Sequence, residues 1–477
     1  MQSAPYGTND ETGRALGFTS LEQETRIDGI PVEGTIPAWL EGSLLRSAPA
    51  KWDLEHRSMR HWFDGLAMLH RFSIADGAVS YQNRFLQTRE YRAVQETGDI
   101  AFSEFATDPC RSLFQRVMAV FSPPLTDNAN VNLTVLGGRF IAMTETPIPV
   151  LFDPDTLAAA GVAYEVPGQL TTAHPHLDRI THGMLNYAAQ LGPRSSYRFF
   201  HLAPDAHHPT VIGSAPVREP AYMHSFGLTP RWLVLAEFPL VVNPLDIVRS
   251  GRPYIENFRW KPELGTRFRL CERTTGRMIG PFTTDARFGF HHVNAFEEDG
   301  DVIADLCTFA DAQIVEDLYL ERLRAGRPIA TPRLERFRIS PATGTVTIEP
   351  LTEAAIELPR INYQRCNERP YRYVWGNGTR HGWLDEIVKV DVSTGESTSW
   401  AQDGCFPSEP VFVAAPGADD EDDGVLLSIV LDAGTERSSL LALDARDLTE
   451  VARAEVPHHI PFGFHGQFVR GMVPVPA

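Results

Sequence analysis

The sequence predicts an all-β chain whose antiparallel strands form propeller blades. Three observations carry this: six turn-centred hairpins spread from end to end, few long helical patterns between them, and uneven hairpin spacing that falls to roughly fifty residues toward the C-terminus. Blades interrupted by insertions fit that spacing better than a single sandwich.

Each hairpin joins two short apolar or β-branched runs through a turn built on Asp, Ser, Thr or Gly. In order they are 71–81 ("RFSIADGAVSY"), 151–161 ("LFDPDTLAAAG"), 270–280 ("LCERTTGRMIG"), 337–348 ("FRISPATGTVTI"), 388–397 ("VKVDVSTGES") and 441–452 ("LALDARDLTEVA"). One stretch breaks the pattern. Residues 110–124, "CRSLFQRVMAVFSPP", place Leu113, Phe114, Val117, Val120 and Phe121 at helical spacings, with Arg111, Gln115 and Arg116 off that stripe. It reads as a core-packing helix or as an interfacial patch that dips into a membrane. The apolar stretch 237–248, "EFPLVVNPLDIV", either joins that patch or is a strand and turn. The acidic run 417–424, "GADDEDDG", reads as a solvated turn between strands, and no linker marks a boundary, so one domain is expected over residues 1–477.

Composition narrows the function classes. A net charge of −18 without any basic run argues against a nucleic-acid partner. The N-terminus lacks the basic and apolar regions of a signal peptide, and no apolar run is long enough to span a bilayer, which points to the cytoplasm. Five scattered cysteines, Cys110, Cys271, Cys307, Cys366 and Cys405, form no CxxC pair and indicate neither a disulfide framework nor a zinc site. The only lysines are Lys51, Lys261 and Lys389, which leaves few candidates for a catalytic amine.

Of sixteen histidines, four stand in apolar, Gly-, Phe- or Met-flanked strand contexts: His174 ("TTAHPHLD"), His224 ("AYMHSFGLTP"), His291 ("FGFHHVNAFEE") and His465 ("IPFGFHGQF"). An unpartnered imidazole is costly to bury there. Any one alone is ordinarily a satisfied core histidine; together, four such sites are what a propeller delivers to its axis from separate blades. An all-histidine site suits Fe(II), Zn(II) or Cu(II) and leaves the ion's charge uncompensated by its ligands. Three glutamates in apolar surroundings could answer that charge: Glu145 ("IAMTETPIP"), Glu357 ("AAIELPRINY") and Glu409 ("CFPSEPVFV"). Each either accepts the free ring N–H of a ligating histidine or makes a structural ion pair with an arginine.

Ordered motifs extend along nearly the whole chain, among them "HWFDGLAMLHRF", "YQNRFLQTREY", "DNANVN", "TETPIPVLFDP", "MHSFGLTP", "FHHVNAFEEDG", "ELPRINY", "PSEPVFV" and "PFGFHGQFV". By these the chain resembles the carotenoid cleavage oxygenases, nearest their animal branch. The resemblance implies a seven-bladed β-propeller with a helical or loop dome over the iron face, and Fe(II) held by His174, His224, His291 and His465. It implies that Glu145, Glu357 and Glu409 support His224, His291 and His465. The reaction implied is O2-dependent cleavage of a carotenoid double bond to two aldehydes, with β-carotene to retinal favoured and an apocarotenoid next. Two alternatives come from the same family: a stilbenoid-cleaving dioxygenase, disfavoured because no lysine stands in "TDNANVNLTV", and an O2-independent retinyl ester isomerohydrolase, which would share all seven site residues. The resemblance also favours peripheral membrane contact through 110–124, with 237–248 as a second candidate, without lipidation at Cys110. The family pattern R-N-G-P is replaced by "RSAPA" at 46–50, a departure expected to touch a turn rather than the metal. Adjacent strand residues point to opposite sides, so only one of His291 and His292 can face the axis. The resemblance selects His291, with Glu357 rather than Glu297 or Glu298 as its partner.

Overall fold

A computed structural model describes residues 13–109 and 125–472. All six hairpins read from the turns are present as antiparallel pairs. Seven sheets of four to six strands follow one another along the chain as blades, and one two-stranded ribbon lies apart from them. Blade 1 takes its strands from 25–85, blade 2 from 132–162, blade 3 from 170–216, blade 4 from 227–284, blade 5 from 292–350, blade 6 from 357–400 and blade 7 from 405–455.

The chain ends interleave to close the ring. Gly466–Arg470, from the C-terminal end, pairs with Gly42–Lys51 in blade 1, and Val32–Gly34 pairs with Glu450–Glu455 in blade 7. Each end is thereby a strand in a sheet formed mostly by the other.

Because successive strand residues face opposite sides, one strand serves two gaps between blades. Leu44 packs with Phe72, Leu427 and Leu440 toward blade 7, while its neighbour Leu45 packs with Leu69, Leu133 and Phe152 toward blade 2. The same division repeats round the ring: Tyr187 and Leu233 fill the gap between blades 3 and 4, Phe296 and Val374 that between 5 and 6, and Trp375 and Leu441 that between 6 and 7. Strands buried on both faces read as nearly continuous apolar runs, as Trp232–Glu237 does.

Short helices and loops inserted between strands gather over one end of the axis. The helix Pro244–Arg249 starts on Asn243, whose side chain accepts from the Leu245 N–H, and the helix Gln313–Asp317 follows the outgoing strand Asp301–Thr308. Of the stretch 237–248, Phe238, Leu240, Val241 and Val242 are buried, and its end forms the helix in which Leu245 is 47% exposed. The stretch 110–124 lies outside the described residues. Among the described residues no helix is long and apolar enough to cross a membrane. The acidic run does lie between strands, but it is anchored rather than simply solvated: Glu421 accepts from the Arg372 and Tyr373 N–H groups, and Asp422 pairs with the buried Lys389.

Candidate metal centre

The four histidines arrive from four different blades. His174, His224, His291 and His465 each stand just before, or in a break within, the innermost strand of blades 3, 4, 5 and 1. Regular pairing is interrupted there, so the rings can turn inward. Their ligand atoms all lie within 4.8 Å of one another. Nε2 of His174 is 2.9 Å from Nε2 of His224, and Nε2 of His291 is 3.1 Å from Nε2 of His465.

The remaining three blades supply one carboxylate each. Glu145, on a blade 2 loop, takes Nδ1 of His224 at 2.6 Å; Glu357, first residue of the blade 6 inner strand, takes Nδ1 of His291 at 2.5 Å; Glu409, in a break of the blade 7 inner strand, takes Nδ1 of His465 at 2.7 Å. Every blade therefore places one side chain at the centre. Glu297 and Glu298 turn elsewhere: Glu297 accepts from Thr229 and the Arg231 N–H, and Glu298 pairs with Arg338. His292 faces the gap toward blade 4, where the Ser225 hydroxyl donates to the Phe290 carbonyl and accepts from the His292 N–H; Nδ1 of His292 lies 2.9 Å from that hydroxyl.

The arrangement fits a metal ion on its own chemistry. With Nδ1–H given to a carboxylate, Nε2 carries the lone pair, so His291 and His465 aim two lone pairs at each other across 3.1 Å. That contact is repulsive unless a cation lies between them. Two nitrogens about 2.1 Å from one ion and at right angles would stand roughly 3 Å apart, which is the spacing found. Burial, then neighbouring imidazoles, holds His174 and His291 well below the ordinary histidine pKa, and burial lowers His465 to about 3 against the pull of Glu409. These three rings are neutral donors across the physiological range.

The carboxylates differ. Burial pushes Glu357 up to about 7, partly offset by the Leu358 N–H and nearby imidazoles. For Glu409 burial acts in the same direction but is outweighed by Arg360 and His465, which hold it well below the usual carboxylate range.

Several neighbours were not singled out from the sequence. Tyr222 donates to Glu145 at 2.8 Å and stands two residues before His224, so strand alternation could have placed it. Arg46, fully buried, donates to the carbonyls of Glu409 and Phe464 at 3.1 and 2.8 Å. The segment "RSAPA" is thus in the strand Gly42–Lys51, not a turn, and its arginine reaches the backbone beside His465.

Above the histidines lies a cavity of about 1350 Å3. His224, His291 and His465 form part of its wall with Trp62, Phe63, Phe105, Phe290, Phe309 and Phe464. The inserted segments close it from the other side with Ile247, Tyr254, Ile314 and Leu318.

A seven-bladed propeller with an axial four-imidazole metal site opening on an aromatic cavity defines a class of non-haem metalloproteins. A model of the retinal pigment epithelial membrane protein family matches residues 18–470, and the chain belongs to that family. It is 35% identical to a mitochondrial carotenoid-cleaving dioxygenase of Macaca fascicularis, covering 95% of this chain and 94% of the relative. It is 34% identical to a β,β-carotene 15,15′-dioxygenase of Rattus norvegicus, covering 92% and 88%. Among solved structures, cobalt-substituted apocarotenoid oxygenase of Synechocystis superposes with a TM-score of 0.86 at 29% identity, covering 96% of this chain and 98% of that one.

Proposed function

We propose that this protein is an Fe(II)-dependent oxygenase that cleaves a carbon–carbon double bond of a carotenoid with O2, giving two aldehydes. β-Carotene cleaved to retinal is the favoured substrate and an apocarotenoid the next. The observation that carries the reading is the opening of the four-imidazole cluster directly onto a large aromatic cavity. The names of the relatives support the same chemistry.

His174, His224, His291 and His465 would hold the iron, and the whole chain works as one unit because every blade contributes to the centre. When bound, Fe(II) supplies the means of activating O2. The protein's own part is to orient and exclude. Glu145, Glu357 and Glu409 fix the tautomer and plane of three rings. Phe63, Phe105, Phe290 and Phe464 pack against a long apolar chain, keep water from the reacting bond and set which bond lies over the metal. The cleavage needs no side-chain acid or base.

Among the described residues no lysine that could ionise a phenol lines the cavity. Lys51 pairs with Glu22, Lys261 with Glu219 and Lys389 with Asp422, and none is among the lining residues. The helix Pro244–Arg249 supports peripheral membrane contact, because Leu245 is both exposed to solvent and, with Ile247, part of the cavity wall.

The test is to incubate Fe(II)-loaded protein under air with β-carotene, an apocarotenal, resveratrol and a retinyl ester, and to identify the products by chromatography. Retinal from β-carotene, or shorter aldehydes from the apocarotenal, is the expected result. Aromatic aldehydes from resveratrol alone, or retinol formed without O2, would overturn it.

A further inference from the structure

The three supporting carboxylates are not held alike, and the difference points to one arginine. Glu409 Oε1 takes the His465 ring N–H, while Oε2 takes the Gly466 N–H at 3.0 Å and Nη2 of Arg360 at 2.9 Å. The same Nη2 also donates to the Gly466 carbonyl. Nε of Arg360 lies 2.8 Å from Oε1, an ion-pair distance, although its N–H is not aligned on that oxygen. One guanidinium therefore grips both the carboxylate that orients His465 and the peptide that follows it.

Arg360 ends the short strand Glu357–Arg360, whose first residue supports His291. In regular alternation residues three apart face opposite sides. Here the pairing with the next strand shifts register between Glu357 and Arg360, and Leu358 adopts a positive φ of 50°. The irregularity lets one strand serve two rings: Glu357 reaches toward blade 5, and Arg360 toward the Glu409–His465 pair of blades 7 and 1.

We propose that Arg360 is a positioning residue of the metal centre: it fixes Glu409 and Gly466 so that the His465 ring is presented to the same point as the other three. The inference rests on the metal-binding reading above and goes beyond it in assigning the device that joins blade 6 to blades 7 and 1. Arg360 acts through Glu409 and touches neither metal nor substrate. Its side chain is 29% exposed while that of Glu409 is buried, so affinity is read per folded chain beside a melting curve.

The experiment compares wild type, Arg360→Gln, Arg360→Lys, Glu409→Gln and the Arg360→Gln/Glu409→Gln double variant, all stripped of metal by chelator. Fe(II) affinity is measured by chelator competition, and the visible spectrum is recorded for the Co(II)-loaded forms. Arg360→Gln is expected to weaken Fe(II) binding about tenfold or more, the range for residues that orient a ligand, and to move the Co(II) bands. Arg360→Lys, which keeps the charge but not the fork, should fall between the two. The double variant should bind within about twofold of Glu409→Gln, since the arginine acts through that carboxylate. Wild-type affinity and spectrum in Arg360→Gln, or full additivity in the double variant, would overturn the assignment. A lower melting temperature with unchanged affinity per folded chain would overturn it too. If wild type itself takes up no metal, the function proposed above fails as well; normal uptake by wild type with no effect of Arg360→Gln removes only this inference.

Discussion

Glu145 shares its oxygen between a ring N–H and a tyrosine hydroxyl, Glu357 keeps a buried Oε1 without a partner among the described residues, and Glu409 is clamped by arginine. Glu357 holds the His291 ring and the Leu358 N–H through the same oxygen, Oε2, and it alone supports His291. Substituting Glu357→Gln should weaken metal binding by about ten- to a hundredfold without unfolding the protein, read by chelator competition alongside a melting curve. Away from the centre, His70 is fully buried in blade 1, with Nδ1 3.0 Å from the Tyr81 hydroxyl and Nε2 unpartnered among the described residues. Burial, then the nearby His458 and Arg46, depresses its pKa to about 3. A folded pKa below the unfolded value of about 6.5 makes the stabilisation fully present above pH 6.5 and lost as pH falls toward 3. His70→Gln should therefore flatten the pH dependence of the unfolding free energy, measured by urea titration, by on the order of 1 kcal/mol between pH 6.5 and 5. An unchanged slope would contradict the assignment.

Strands decided how much of the molecule could be read in advance. The six hairpins were legible because turn chemistry is local, and the choice of His291 over His292 follows from alternation once the family resemblance marks the axis. The Arg360 contact was not legible, since it depends on an irregular register and a positive φ that no period reveals. Arg46 was misplaced for a related reason: "RSAPA" has turn-like composition, but pairing with Gly466–Arg470 and Leu66–Ala75 holds it as a strand. The strand after His465 depends on a residue without a side chain. A Cβ on Gly466 would stand 2.6 Å from Cγ of Arg46 and 2.8 Å from the Leu45 carbonyl. Gly466→Ala should lower both the melting temperature and the metal bound per chain; loss of neither would show that this strand tolerates displacement.

The ring holds a metal site only when closed, because the seven central residues come one from each blade. Closure rests on Gly466–Arg470 inside blade 1 and Val32–Gly34 inside blade 7. Removing residues 466–477 should abolish cooperative unfolding by calorimetry rather than merely lower the midpoint, since blade 1 loses its innermost strand and His465 its anchorage. At the surface, Leu245→Asp should reduce sedimentation with phospholipid vesicles while leaving the metal content unchanged; undiminished sedimentation would place membrane contact elsewhere. Iron binding on the axis is tested by the iron bound per chain in wild type, His291→Ala and His292→Ala, with folding verified by melting. About one iron in wild type and in His292→Ala, and little in His291→Ala, is the expected result; iron retained by His291→Ala but lost from His292→Ala would contradict the account.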